Sequence, residues 1–79
     1  MDDTPDTLSL QPHIVARLRR RLAEVRAMGF QIRQEVLEGK PGTWCEIAGR
    51  KTVFIDASQP AIEQLAALNE AVRSYRPAA

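Results

Sequence analysis

Cysteine, histidine and aromatic side chains are scarce in this sequence. Cys45 is the one cysteine, His13 the one histidine, and Phe30, Trp44, Phe54 and Tyr75 are the only aromatics. A lone thiol excludes an internal disulfide and any zinc site built on several cysteines. No run of residues approaches the roughly 20 apolar positions a membrane-spanning helix needs. The free thiol and the lack of a signal-peptide pattern point to a reducing, cytoplasmic setting. No phosphate loop, metal-ligand spacing or catalytic constellation is present, so no cofactor, metal or catalytic residue is assigned.

Charge of one sign is also lacking overall, because the 79 residues sum to +1. The distribution is uneven, however. Residues 1–12 carry Asp2, Asp3 and Asp6 and no base, whereas residues 13–33 carry six arginines against Glu24 alone. Only two bases, Lys40 and Lys51, are lysines. Arginine favours bidentate and stacked contacts over plain solubility.

A chain of this length forms one domain and buries only about 60% of the surface its unfolded form exposes, so its core is thin. Residues 1–8, acidic and without apolar periodicity, read as a disordered tail, and residues 9–79 as a single α+β domain. The first helix is expected to start at Ser9, with Pro12 in its first turn, and to stop at Gly29. On its wheel Ile14, Val15, Leu18, Leu22, Val25 and Met28 share an apolar arc. Arg21 falls inside that arc and must escape to solvent or meet an acid as a buried ion pair, with Glu24, Glu46 or Asp56 as candidates. Arg20 points away from it. The last helix is expected from Ser58 or Gln59 to Tyr75 or Arg76, with Ile62, Leu65, Leu68 and Val72 inward, Asn69 at the edge and Pro77 as the stop.

Between the helices, FQIRQEVLE, TWCEIA and KTVFIDAS read as three strands separated by GKPG and GR. The pattern predicts α-β-β-β-α, an α+β fold with a three-stranded antiparallel meander. A four-residue loop at Gly39–Gly42 would pair Val36 with Cys45 and Leu37 with Trp44. The second turn leaves two registers open. A Gly49-Arg50 loop pairs Cys45 with Phe54, and a longer one pairs Cys45 with Ile55.

Several residues invite chemistry. Cys45 could be a nucleophile with His13 as its base, but nothing in the spacing joins them, and a mid-strand cysteine among valines and isoleucines is a small buried hydrophobe. Glu46 and Asp56 could form an acid–base or metal pair, or Asp56 could simply end its strand. Trp44 and Phe54 could stack a base or ring-shaped ligand, or anchor a core or interface. Arg17, Arg19, Arg20, Arg26 and Arg33 are candidate nucleic-acid contacts, or a solvated face neutralised by Glu24 and the acidic tail.

The element order resembles that of double-stranded-RNA-binding domains, a likeness of topology only. Gly39-Lys40-Pro41-Gly42 lacks the histidine of that family's loop, and Ser58-Gln59-Pro60-Ala61-Ile62-Glu63 opens the last helix without its lysines. The run Trp44 to Asp56 also resembles the central segment of small uncharacterised bacterial proteins. These share a cysteine, a Gly-Arg turn, an apolar strand with phenylalanine and a closing aspartate. A helix containing Glu-Gln-Leu, here Glu63-Gln64-Leu65, follows. The likeness covers about half the chain and implies a fold without an activity.

The expected function is therefore a small non-enzymatic interaction module that homodimerises. Trp44, Val53, Phe54, Ile55 and Leu37 are the interface candidates, with Arg33, Glu35 and Glu46 at the rim. Association would occur through an uncovered sheet face or through pairing of strand three with its symmetry mate. A nucleic-acid-associated regulator using the first helix is the alternative, and a small-ligand site or enzyme on the sheet face comes third.

Overall fold

The structure, a computed structural model, describes residues 7–40 and 43–76. The elements follow the expected order: α1 (Thr7–Ala27), β1 (Gln31–Glu35), β2 (Trp44–Ile47), β3 (Arg50–Asp56) and α2 (Ala61–Ser74). The class is α+β, but the sheet is mixed. Its strand order is β1-β3-β2, with β1 parallel and β2 antiparallel to β3.

The expected meander is corrected by the composition of β3. Val53, Phe54 and Ile55 are consecutive, and a strand that apolar at a sheet edge would expose its backbone and both faces. In the centre it is paired on both sides. β1 and β2 become the edges, and the expected pairs Val36–Cys45 and Leu37–Trp44 do not form. The likeness to double-stranded-RNA-binding domains is thereby limited to element order. Gly39 does mark a turn, in which the Lys40 amide donates to the Leu37 carbonyl across Glu38 and Gly39, both with positive φ. That turn lies in a connection running from one sheet edge to the other, not in a hairpin.

The β2–β3 hairpin adopts neither expected register. Ile47 faces Arg50, Cys45 faces Thr52 and Trp44 faces Val53, so the loop is Ala48-Gly49, one residue earlier than the glycine-arginine reading. Ala48 (φ 53) and Gly49 (φ 81) both occupy the left-handed region, as a type I′ turn requires. Its twist matches that of the strands, and glycine serves the second position. Alanine at the first is the unusual choice that hid the turn from the sequence.

α1 begins at Thr7, two residues before the Ser9 expected as its cap, which places Pro12 in the second turn. Thr7 and Leu8 thus belong to the helix, while the expected tail at residues 1–6 lies outside the described residues. The stop at Gly29 is as expected and is a Schellman motif. The Gly29 amide donates to the Arg26 carbonyl and the Phe30 amide to the Val25 carbonyl, with Gly29 at φ 98. Phe30 and Val25, which such a motif brings together, both enter the core.

α2 starts later than expected. Pro60 is its N-cap residue without a side-chain cap bond, and its carbonyl accepts from the Glu63 and Gln64 amides. It ends at Ser74, with Tyr75 as C-cap, so the stop assigned to Pro77 falls outside the described residues.

Both helices pack on one sheet face. Leu18, Leu22 and Val25 of α1 and Leu65, Leu68 and Ala71 of α2 meet Val53 and Ile55 of β3, with Ile32 and Trp44 half-buried at the flanks. Val15, Met28 and Ile62, expected inward, are instead exposed, because the core accepts an arc narrower than the apolar residues span. The helices run in the same direction, each opposite to the strand it is joined to. Phe30, just after α1, and Tyr75, just after α2, accordingly meet edge to face at 5.2 Å. Trp44 packs on Tyr75 at 4.8 Å. Lys51 Nζ lies 4.5 Å from the Phe30 ring centre and 5.1 Å from that of Tyr75, beside the carbonyl ends of both helices, where a cation is favoured.

Candidate functional site

Strand pairing fixes which residues occupy the face that neither α1 nor α2 covers. Side chains alternate along a strand, so Thr52, Phe54 and Asp56 lie opposite Val53 and Ile55. Their partners Gln31, Arg33 and Glu35 on β1 and Cys45 on β2 join them. Phe54 is half-exposed in the middle of this face. The Arg33 guanidinium lies 5.8 Å from its ring centre and pairs with Glu35 at 2.8 Å. Thr52 is buried, its hydroxyl donating to the Arg50 carbonyl at 3.2 Å, and Ile47 is exposed at the hairpin end.

The interface candidates therefore separate. Phe54 is on the open face, as an interface requires. Val53 and Ile55 are fully buried under the helices and are corrected from surface to core. Trp44 packs on the same side against Tyr75. Leu37 lies half-buried on the β1–β2 connection. β3, being central, has no free edge with which to pair a symmetry mate. Glu46 is opposite Lys51, on the helix side of the sheet, so it does not share the open face with Arg33 and Glu35.

The possible chemical pairs dissolve for the same reason. Cys45 faces away from both helices, whereas His13 is an exposed residue of α1, so the sheet separates thiol from imidazole. Glu46 pairs with Lys51 and lies five β3 positions from Asp56, about 16 Å along a strand, and on the opposite face. Among the described residues no group of three metal-ligating side chains occurs.

Asp56 instead holds the end of β3. Its Oδ1 accepts from the Ser58 hydroxyl at 2.6 Å, the Ser58 amide at 3.0 Å and the Leu37 amide at 3.4 Å. The Ser58 hydroxyl, then the Ser58 amide, keeps this carboxyl below its ordinary pKa against the opposing pull of partial desolvation. Ser58, one of the two residues at which α2 was expected to begin, is therefore engaged with Asp56 ahead of the helix.

A second surface lies on the helix layer. Arg17, Arg20, Arg21 and Arg73 line an open cleft of about 540 Å³ between α1 and α2, together with Glu24, Asn69, Leu65 and Val72. Arg21 is half-buried rather than fully buried. Its Nε donates to Asn69 Oδ1 at 2.8 Å and its Nη1 to Glu24 Oε1 at 3.1 Å, so Glu24 is the acid it meets. Asn69 on α2 was legible as an edge residue, but its bond across to α1 was not. Of the nucleic-acid candidates, Arg17 and Arg20 reach this cleft, Arg19 and Arg26 do not line it, and Arg33 is committed to the far side of the sheet.

No protein-family model, curated protein or solved structure matches the chain. Among the described residues no helix is long and apolar enough to cross a membrane.

Proposed function

We propose that this chain is a small non-enzymatic interaction module, acting in a reducing compartment such as the cytoplasm, whose partner is a second copy of itself. The observation that carries the reading is Phe54, a large ring half-exposed at the centre of the sheet face that neither α1 nor α2 covers. A half-exposed aromatic on a small, thin-cored domain favours association, because burying the rest of it adds apolar area that the monomer cannot supply. Charge supports a self-partner. The same face carries Arg33 and Arg50 beside Glu35 and Asp56, so it presents charges of both signs, as a self-complementary two-fold interface requires.

Light scattering at micromolar concentration should report twice the 8.8 kDa chain mass. Phe54→Lys should return it to the single-chain mass with its circular dichroism unchanged, since Phe54 lies outside the core cluster. A wild type that stays at single-chain mass throughout the concentration series would remove this reading.

A further inference from the structure

We propose that the cleft between α1 and α2 is a binding site for a compact polyanion, specifically a linear oligophosphate, free or carried by a nucleotide. Arg17, Arg20, Arg21 and Glu24 follow i, i+3, i+4, i+7 spacing and so form one stripe of α1. Because the helices run in parallel, this stripe lies beside Asn69 and Arg73 of α2, which are themselves i, i+4. Four guanidinium groups thus face one concavity, and Glu24 is the single carboxylate lining it among the described residues.

A protein gains nothing in stability from gathering like charges around a cleft, because their repulsion opposes folding. A multiply charged anion converts that repulsion into attraction. Planar guanidinium groups also match phosphate oxygens with paired N–H donors. Arg21 supplies the fixed member. Asn69 and Glu24 occupy its Nε and Nη1 and leave Nη2 free of any protein partner among the described residues. Arg73 pairs with Glu70, an exposed neighbour on its own helix that an anion displaces at little cost.

The shape of the charge favours a compact ligand over a duplex. A duplex needs cations tracking along its backbone. Here Arg19 and Arg26 do not line the cleft, and Arg33 lies beside Phe54 and shares with Arg26 a separate hollow at the β1 edge. The four arginines of this cleft form one local cluster in an open depression, not a track along a surface.

The test is titration of the intact chain with inorganic triphosphate, with pyrophosphate and ATP as second and third probes, at low and physiological salt. One-to-one binding is expected, weaker for pyrophosphate. The exposed pair Arg17→Gln/Arg20→Gln should weaken it more than about tenfold. Arg19→Gln/Arg26→Gln, which removes equal charge outside the cleft, should leave it within about twofold, since that charge acts only through screened distance. Triphosphate binding equal to that of ATP means that the phosphate chain is the ligand; tighter ATP binding means that the nucleotide carries it. Equal losses in the two double variants, or no saturable binding at low salt, would overturn the site. So would a DNA duplex that binds more tightly than triphosphate and responds equally to both variants. Chain mass under the same conditions reads the dimer separately, so either idea can fail alone.

Discussion

The two faces of β3 differ by one residue of register and by everything that residue spacing controls. Val53 and Ile55 point into the helices and have no exposure, while Phe54 between them points out and is only half-covered, by an arginine from the neighbouring strand. The same apolar tripeptide thus supplies two fully buried core residues and a half-exposed ring on the open surface. Hydrophobicity alone does not tell a core residue from an interface residue in such a run. Its place relative to the helices does.

The largest expected effect breaks this contrast directly. Ile55→Ala removes a fully buried side chain and should destabilise the fold by about 2–5 kcal/mol. Phe54→Ala, deleting a larger side chain one position away, should cost the folded monomer less than about 1 kcal/mol beyond any loss from dissociation, since its ring is outside the core cluster. Denaturant midpoints measured at a concentration low enough to hold both variants monomeric decide the matter. Comparable losses would mean that the outer face is as much core as the inner one.

Much of this architecture was legible. Element order, the stop at Gly29 and the inward placement of Leu18, Leu22, Leu65 and Leu68 follow from periodicity and from one glycine, all of them local signals. Strand order was not legible. Gly39 marks a turn in either topology, and nothing local says whether the chain then returns beside β1 or passes on to the far edge. The apolar run in β3 held the missing information, since a strand apolar on both faces belongs in the middle. Register at Ala48-Gly49 was missed because alanine is a poor marker of positive φ. The arginine cleft was half-visible. The richness of α1 in arginine could be counted, but the wheel set Arg21 inside the apolar arc and Arg20 away from it, and the α2 residues facing them depend on parallel helices, hence on the parallel pairing of β1 and β3.

The closed end of the helix-covered face gives the next comparison. Gly29 and Gly39 both have positive φ, 98° and 85°, but a Cβ at Gly29 would lie 3.3 Å from Lys51 Cε, whereas at Gly39 it would meet nothing within 4 Å. Alanine at either should cost about 1–2 kcal/mol for the left-handed backbone. The excess at Gly29, read by thermal unfolding, then measures how firmly Phe30 and Tyr75 hold Lys51. Equal losses would show that the lysine end simply swings aside.

Turn strain at the hairpin should yield a gain of comparable or smaller size. Ala48 holds φ 53 at the first position of a type I′ turn, where asparagine is preferred. Ala48→Asn should stabilise the protein by about 1 kcal/mol without moving any residue of either sheet face. An unchanged or lowered unfolding temperature would mean that the turn geometry is not as assigned.

The smallest effect concerns Asp56, at the end of the open face, and it appears as a pH dependence. The folded carboxyl is held below its ordinary pKa by Ser58, first through its hydroxyl and then through its amide, with the Leu37 amide also contributing. The unfolded chain has no such partners, so its Asp56 binds a proton first as pH falls. The stabilisation is therefore complete above the unfolded value, about pH 3.9, and disappears as pH drops through the lower folded value. Asp56→Asn retains a side-chain carbonyl to accept these bonds but has no proton to bind. Denaturant midpoints of the two proteins are compared from about pH 6 to about pH 2. The wild type should fall further, and only below about pH 4. The Leu37 bond gives the difference structural meaning, because that amide belongs to the connection joining the two sheet edges. If the two curves run parallel across the acid range, the Asp56 bonds to Ser58 and Leu37 add nothing to folding beyond what a neutral amide provides.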